Sequence, residues 1–352
     1  MTSRSKILAL VVVAIVVVVV WRLVASKDEA PSTSSEMPSS SAPTESRPTT
    51  AIASAAPSAT IEKAAPPIAG TKVFEAKWGG GLGELGRERP QEGNAEGPMS
   101  FAPAGDGYVV VDQVNGRLSK YDAKGRFERA QDIPKTVQDV AVTKDGTTVL
   151  LDRLAEKKLT LLDPRGKKFA ELPLTHPKLG ETGLSTGVFV DGKDVYVEKE
   201  HGVLLHVGTT DGQPAEEGKE LSGRPSKDGA LLLTAGLSSP NEGKAYLNAF
   251  DRQSGSLRFA RALAFPRPSA AIVLLDSDLK GTLYLGVAAG AEPVAHVACL
   301  DSTDGHVLGR TVLPLSTTPE ESFRDFSVTA DGNIVFALRT EERVEYRAAT
   351  CP

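Results

Sequence analysis

Apolar and polar positions alternate along residues 97–130, GPMSFAPAGDGYVVVDQVNGRLSKYDAKGRFERA, in short runs separated by turn residues. The runs at 99–103, 108–112, 117–121 and 126–130 have the length and period of β-strands. Val109 and Val111 alternate with Val110 and Asp112, which gives the second run two different faces. Asp106-Gly107 and Lys124-Gly125 are expected to supply the positive-φ positions of tight hairpin turns. The pattern predicts a four-stranded antiparallel sheet. Such a sheet cannot cover both its faces alone and requires copies of itself.

The turns reveal the copies. One series runs Asp106-Gly107, Asp145-Gly146, Asp191-Gly192, Asp228-Gly229, Lys280-Gly281 and Asp331-Gly332. A second lies between them: Lys124-Gly125, Arg165-Gly166, Asp211-Gly212, Ser254-Gly255 and Asp304-Gly305. Spacing within each series is about 40–50 residues, the length of one propeller blade. The second series is one member short, so the last blade lacks its outermost strand. Residues 71–78, TKVFEAKW, alternate in polarity and precede the first full blade. Laid beside residues 344–350 they complete the last sheet and hide the edges of an open stack. The expected fold is all-β, a six-bladed propeller over residues 71–352 closed by an N-terminal strand. The blade around 215–235 departs most, because residues 222–227 make a poor inner strand.

The first part of the chain follows another pattern. Residues 1–6 carry Arg4 and Lys6, and residues 7–20 are unbroken aliphatic before Trp21 and Arg22. Residues 7–25 reach the length of a membrane span if Arg22 snorkels beside Trp21. They are read as a transmembrane signal-anchor with residues 1–6 cytoplasmic and the propeller exported, periplasmic or extracellular. The alternative is a secretory signal cleaved near Ala25-Ser26. Residues 27–70 are dense in Pro, Ser, Thr and Ala without periodicity, the composition of a disordered linker. A coil of that length spans roughly 35–40 Å.

Composition narrows the function. The net charge of −5, with no clustered Lys/Arg, argues against a nucleic-acid partner, and so does the 5% aromatic content. The two cysteines, Cys299 and Cys351, are too few for a zinc site or a disulfide scaffold. They are read either as a disulfide or as one buried and one terminal thiol.

Several motifs look like chemistry and have simpler readings. Gly81-Leu-Gly83-Glu-Leu-Gly86 matches a dinucleotide fingerprint, but Arg87-Glu-Arg-Pro90 follows where a helix is required. Gly183-Leu-Ser185-Thr-Gly187 matches a nucleophile elbow, but a strand follows it. Asp276-Ser-Asp278 is explained by the adjoining Lys280-Gly281 turn as well as by a cation. Of the histidines His176, His201, His206, His296 and His306, none is paired at helical ligand spacing. His206 and His296 read as packed strand residues.

The segment Trp78-Gly79-Gly80-Gly81, through Gly97-Pro98 to VVVDQVNGRLSKYDAKGRF, resembles the NHL-repeat family of six-bladed propellers. The match is good over 71–130, fair over 136–170 and fades beyond. YLNAFDRQSGSLRFARAL at 246–263 and HVACLDSTDGHVLGRTVL at 296–313 are more similar to blades of quinoprotein-type propellers. The resemblance implies a propeller that is more often a binding module than an enzyme.

Both glycine series belong to first-to-second and third-to-fourth turns, so one face of the ring is tightly trimmed. The long connections, at 79–98, 173–185, 221–227, 236–243, 288–293 and 314–322, belong to the opposite face. Function concentrates on loops held by a rigid scaffold. The candidate binding residues on that face are Arg87, Arg89, His176, His201, Arg224, Arg267, Glu320 and Arg339. The leading expectation is a membrane-tethered binding or scaffold module of the cell envelope, with a protein or cell-wall ligand and no cofactor. The rival is a propeller enzyme of the calcium-dependent lactonase or sugar-dehydrogenase kind. That reading needs acidic ligands in the channel, where Asp139 and Asp325 are the inner-strand candidates.

Overall fold

The computed structural model describes residues 66–216, 218–266 and 268–352. The expected span at 7–25 and most of the linker lie outside the described residues. Among the described residues no helix is long and apolar enough to cross a membrane.

Among the described residues, twenty-four strands form six four-stranded sheets. β1 (Thr71–Lys77) precedes blade 1, which comprises β2 (Ser100–Ala104), β3 (Gly107–Asp112), β4 (Arg117–Tyr121) and β5 (Phe127–Asp132). Blade 2 contains β6 (Asp139–Val142), β7 (Thr148–Asp152), β8 (Lys158–Leu162) and β9 (Lys168–Pro173). Blade 3 contains β10 (Ser185–Asp191), β11 (Asp194–Lys199), β12 (Leu204–Thr209) and β13 (Glu220–Leu221). Blade 4 has β14 (Arg224–Pro225), β15 (Leu231–Ser239), β16 (Lys244–Asp251) and β17 (Leu257–Ala264). Blade 5 has β18 (Ser269–Ser277), β19 (Thr282–Ala289), β20 (Val294–Asp301) and β21 (Val307–Pro314). Blade 6 has β22 (Phe326–Val328), β23 (Ile334–Arg339) and β24 (Arg343–Ala349).

The ring closes as the sequence pattern predicts. β1 pairs antiparallel with β24, Thr71 opposite Ala348 and Lys77 opposite Arg343, and completes blade 6. Contacts of the ring extend upstream of Thr71, into the expected linker. Ile68 donates its N–H to Val312 O at 2.8 Å, and Arg347 donates to Ala69 O and Gly70 O.

The glycine turns lie on one face and are built from short polar signatures. In the third-to-fourth turns an aspartate folds back on the chain: Asp122 Oδ1 accepts from the N–H of Lys124 and of Arg126, and Asp163 Oδ1 from Arg165 and Lys167. Each carboxylate fixes the turn before the glycine takes its positive φ, 72° at Gly125 and 90° at Gly166. Blade 1 differs from expectation. Its first turn takes positive φ at Gly105 (63°), and Gly107 is needed for room, since a Cβ there would lie 2.1 Å from Tyr121 O.

Blades pack on one another through apolar seams. The seam between blades 6 and 1 holds Phe74, Tyr108, Tyr121 and Tyr346, with Phe74 stacked 4.2 Å from Tyr346 and 4.4 Å from Tyr121. Between blades 5 and 6, Cys299 on β20 is joined to Cys351 by a disulfide, with Cα atoms 6.4 Å apart. The seam between blades 3 and 4 is the thinnest, a cluster of Tyr196, Leu204, Leu221 and Leu232 with Phe189 and Phe250 at its margin. The cause is local: β13 and β14 have two residues each, matching the weak inner strand expected there. Ser226 and Lys227, assigned from the sequence to a long connection, belong instead to the first turn of blade 4.

Candidate functional site

The inner strands enclose a central channel of about 1910 Å³. Ion pairs line it. Arg224, on β14, gives a two-pronged contact to Glu198 of β11, at 2.6 and 2.9 Å, and donates to Leu275 O in blade 5. Arg324, just before β22, reaches from blade 6 to Asp139 of blade 2 at 2.5 Å and to Val188 O of blade 3 at 3.2 Å. Both guanidiniums approach the Phe189 ring, at 5.0 and 5.1 Å. Lys227 pairs with Asp276, and Arg339 grips both oxygens of Asp325 at 2.7 and 2.9 Å. Residues of blades 2, 3 and 6 therefore meet across the waist of the channel.

The two buried carboxylates at this waist are tuned in opposite directions. Burial works to raise the Glu198 carboxyl, but the Arg224 guanidinium, with hydrogen bonds from His201 and Thr186, holds it at about 2. Asp139 is wholly buried and burial wins there, so its carboxyl is pushed up despite Arg324 and the Val188 N–H. Its Oδ1 has no hydrogen-bond partner. Asp139 is the more completely buried of the two, so desolvation outweighs its partners there.

A second cluster sits at the loop-rich mouth between blades 6 and 1. Arg89 Nε contacts Glu320 Oε1 at 2.5 Å, and its other nitrogens reach Glu341 at 2.9 and 3.1 Å. Arg87 contacts Glu341 at 3.2 Å and lies over the Trp78 ring at 5.1 Å. Arg339 Nη2 donates to Pro98 O at 2.9 Å. These bonds tie the long connection before β2 to blade 6. Arg339 is nevertheless incompletely satisfied: its Nε is buried without a hydrogen-bond partner, while Glu320 takes a hydrogen bond from the neighbouring Thr318 hydroxyl. All three residues line the channel.

Of the eight residues selected from sequence, four meet here: Arg87, Arg89, Glu320 and Arg339. Arg224 and His201 belong to the Glu198 cluster, with His201 Nδ1 3.5 Å from Glu198. His176 stands apart from both, with His206 in a pocket of about 550 Å³ lined also by Leu174, Pro177 and Gly218. Burial pushes its imidazole down, opposed by a hydrogen bond with the Gly218 backbone. Arg267 lies outside the described residues. Asp276 and Arg324, which line the channel, and Glu198, buried behind Arg224, are residues that sequence reasoning did not select. The signal for Glu198 was present, a lone acid ending the otherwise apolar alternation of Val195-Tyr196-Val197.

The motifs resolve as structure. The glycine-rich segment 81–86 turns its carbonyls inward: Arg117 donates to Gly81 O at 2.9 Å and to Glu84 O at 2.5 Å. A phosphate cradle needs N–H groups converging on the ligand instead. Ser185 opens β10, which continues as a strand through Val188 to Asp191. Asp278 Oδ1 accepts the N–H groups of Lys280 and Thr282, a turn closure of the kind seen in the other blades.

No protein-family model and no curated protein matches this chain. Solved structures similar to it include Kuenenia stuttgartiensis hydrazine synthase, at 15% identity over 74% of this chain and 80% of that one, TM-score 0.48. BamB from Moraxella catarrhalis is similar at 17% identity over 72% and 71%, TM-score 0.40. A streptogramin B lyase is similar at 15% identity over 75% and 97%, TM-score 0.41. At these identities and scores the likenesses carry no functional argument. The strand order and ring closure by themselves make this chain a six-bladed β-propeller.

Proposed function

We propose that this protein is a binding or scaffold module of the cell envelope, its propeller exported and recognising a protein or cell-wall ligand with the loop-rich face. Residues 7–25 anchor it, and the Pro/Ser/Thr-rich segment spaces it from the membrane. The observation that carries this reading is the gathering of buried polar groups from Thr318, Glu320 and Arg339 at a mouth built from long connections, with Arg339 Nε lacking any hydrogen-bond partner. Buried polar groups are normally paired. A carbonyl or hydroxyl oxygen of a ligand offers the acceptor that Arg339 Nε lacks.

One further observation supports the reading. Four acids in or behind the channel wall are held in ion pairs and are less free to ligate a metal: Glu198 by Arg224, Asp139 by Arg324, Asp276 by Lys227 and Asp325 by Arg339. Ties to blades that resemble NHL repeats fit a binding role as well.

The test is crosslinking capture with the full-length chain in its native membrane. Reversal of exposed acids on the loop-rich face (Glu92→Lys, Glu200→Lys and Glu292→Lys together) is expected to lose the captured species. Reversal of Lys124, Lys144 and Lys193 to Glu on the trimmed face is expected to keep it. The opposite pattern refutes the choice of face.

A further inference from the structure

Blade 4 is missing most of its inner strand. β15 is nine residues long, and β14 covers only Leu232 and Leu233 of it. The chain swings in from blade 3 at Gly223, where any Cβ would lie 2.6 Å from Leu233 O, and turns away again after Pro225. On its other side β15 is paired with β16 along nearly its whole length, from Leu231 opposite Asp251 to Ser239 opposite Lys244.

The direction of the unpaired groups follows from the ladder. Leu231 turns both backbone groups toward β14: its O accepts from Ser226 N at 3.0 Å, and its N–H donates to Ser226 Oγ at 2.9 Å. Strand alternation gives Leu233, Ala235 and Leu237 the same direction. Leu233 is paired with Arg224. Ala235 and Leu237 have no backbone or side-chain partner there among the described residues. In blades 2 and 6 the comparable overhangs are capped: Arg153 N–H donates to Gln138 Oε1 and Arg339 N–H to Ser316 Oγ.

The open edge faces the channel. Leu233, Ala235, Gly236 and Tyr246 line it, opposite Ala271, Ile272 and Val273 of blade 5. Neither wall carries a charge over this height, LLLTAGLSS in β15 and SAAIVLL at the start of β18. An unpaired strand edge is a template for another strand, with main-chain bonds giving affinity and side-chain pockets giving selectivity.

We propose that the loop-rich half of blade 4 takes up an extended segment of a partner polypeptide as the absent inner strand, paired to Ala235 and Leu237. Complementarity to two uncharged walls makes that segment uncharged and β-prone where it inserts. This deepens the binding reading and rests on it, naming the partner as a strand and adding a second contact across the mouth from Glu320.

The probe is a random heptapeptide library displayed on phage and panned on the full-length chain. Enrichment of uncharged, β-branched or aromatic heptapeptides is expected. Ala235→Pro removes only an edge-facing donor, a place where proline is tolerated in a strand, and is expected to weaken their binding at least tenfold. In the unaltered protein, hydrogen exchange at the amides of Ala235 and Leu237 is expected to slow at least tenfold when the selected peptide is added. This measurement holds even where the proline variant fails to fold. No enrichment, or peptides that bind equally to Ala235→Pro and protect other amides, overturns the strand site. Peptides lost on the loop-rich acid reversal yet indifferent to Ala235→Pro overturn it while leaving the binding face standing. Protection already present without peptide also overturns it: if it fades on dilution a second copy occupies the edge, and if it does not the chain's own upstream segment does.

Discussion

Glu198 and Arg224 show how a single buried pair gives this ring a pH limit. The Glu198 carboxyl is held at about 2 against an ordinary 4.5. A depressed carboxyl contributes stability that is complete above its unfolded value and lost as pH falls toward the folded one. The window is therefore pH 4.5 down to 2, and the amount is on the order of 3 kcal/mol. Asp139 has the opposite sign: its raised carboxyl favours the folded state at low pH and gives that contribution up as pH rises. Acid lability is thus expected to trace to Glu198 and not to its neighbour. Glu198→Gln should cost about 3–5 kcal/mol at pH 7, because Arg224 is left uncompensated. The gap between variant and wild type should then narrow as pH falls from 4.5 to 2. Urea midpoints across that range check it, and a gap that stays constant would assign the loss to packing rather than charge.

At the scale of single turns, two glycines of the first hairpin in blade 1 do different jobs. Gly105 carries the positive φ and has open space around its missing Cβ, whereas Gly107 has an ordinary φ and no space at all beside Tyr121 O. Gly105→Ala is therefore expected to cost about 1–2 kcal/mol, the strain of a left-handed alanine. Gly107→Ala must push β3 away from β4 and should cost clearly more. Thermal unfolding of the two variants distinguishes them, and equal losses would contradict the structure. The Asp-Gly pattern made the turn legible, but not this division of labour, since both glycines sit within one short run and only coordinates tell φ from proximity. The same holds more widely. Strand period and turn spacing are local properties, so the six blades, the closing role of residues 71–78 and the weak strand near Arg224 could be read from sequence. The candidate cluster was legible only in part: Arg87, Arg89 and Glu320 stand out as charges on long connections, whereas Arg339 ends β23. Arg324 meeting Asp139 across the channel depends on ring geometry, which no local pattern encodes.

For the whole ring, the question is which seam yields first. A closed propeller has no end, and the natural suspicion falls on the seam where the two ends of the chain meet. Yet that closure is strongly built: Phe74 stacks on Tyr346 and Tyr121, six register pairs join β1 to β24, and Gly125 lies so close to Phe74 that no other residue fits. The next seam round is held by the Cys299–Cys351 disulfide. Between blades 3 and 4 the apolar cluster is smallest, and the strands that flank it are two residues long. Apolar burial contributes roughly 25 cal/mol per Å², so a thinner seam is a weaker one. The ion pairs that cross it, Arg224 with Glu198 and Arg252 with Asp191, offset little of that deficit, because desolvation cancels much of their attraction. Local opening should therefore begin opposite the junction of the termini. Native-state hydrogen exchange is expected to show the amides of β13 and β14, and of β15 above Leu233, exchanging through the lowest-energy opening, ahead of β1 and β24. Exchange that starts at β1 would mean the strand contributed by the N-terminal end is the weak joint after all. Opening at blades 3 and 4 would instead place the most yielding part of the ring beside the unpaired edge of β15, where an inserted strand would add the hydrogen bonds and apolar contact that the seam lacks.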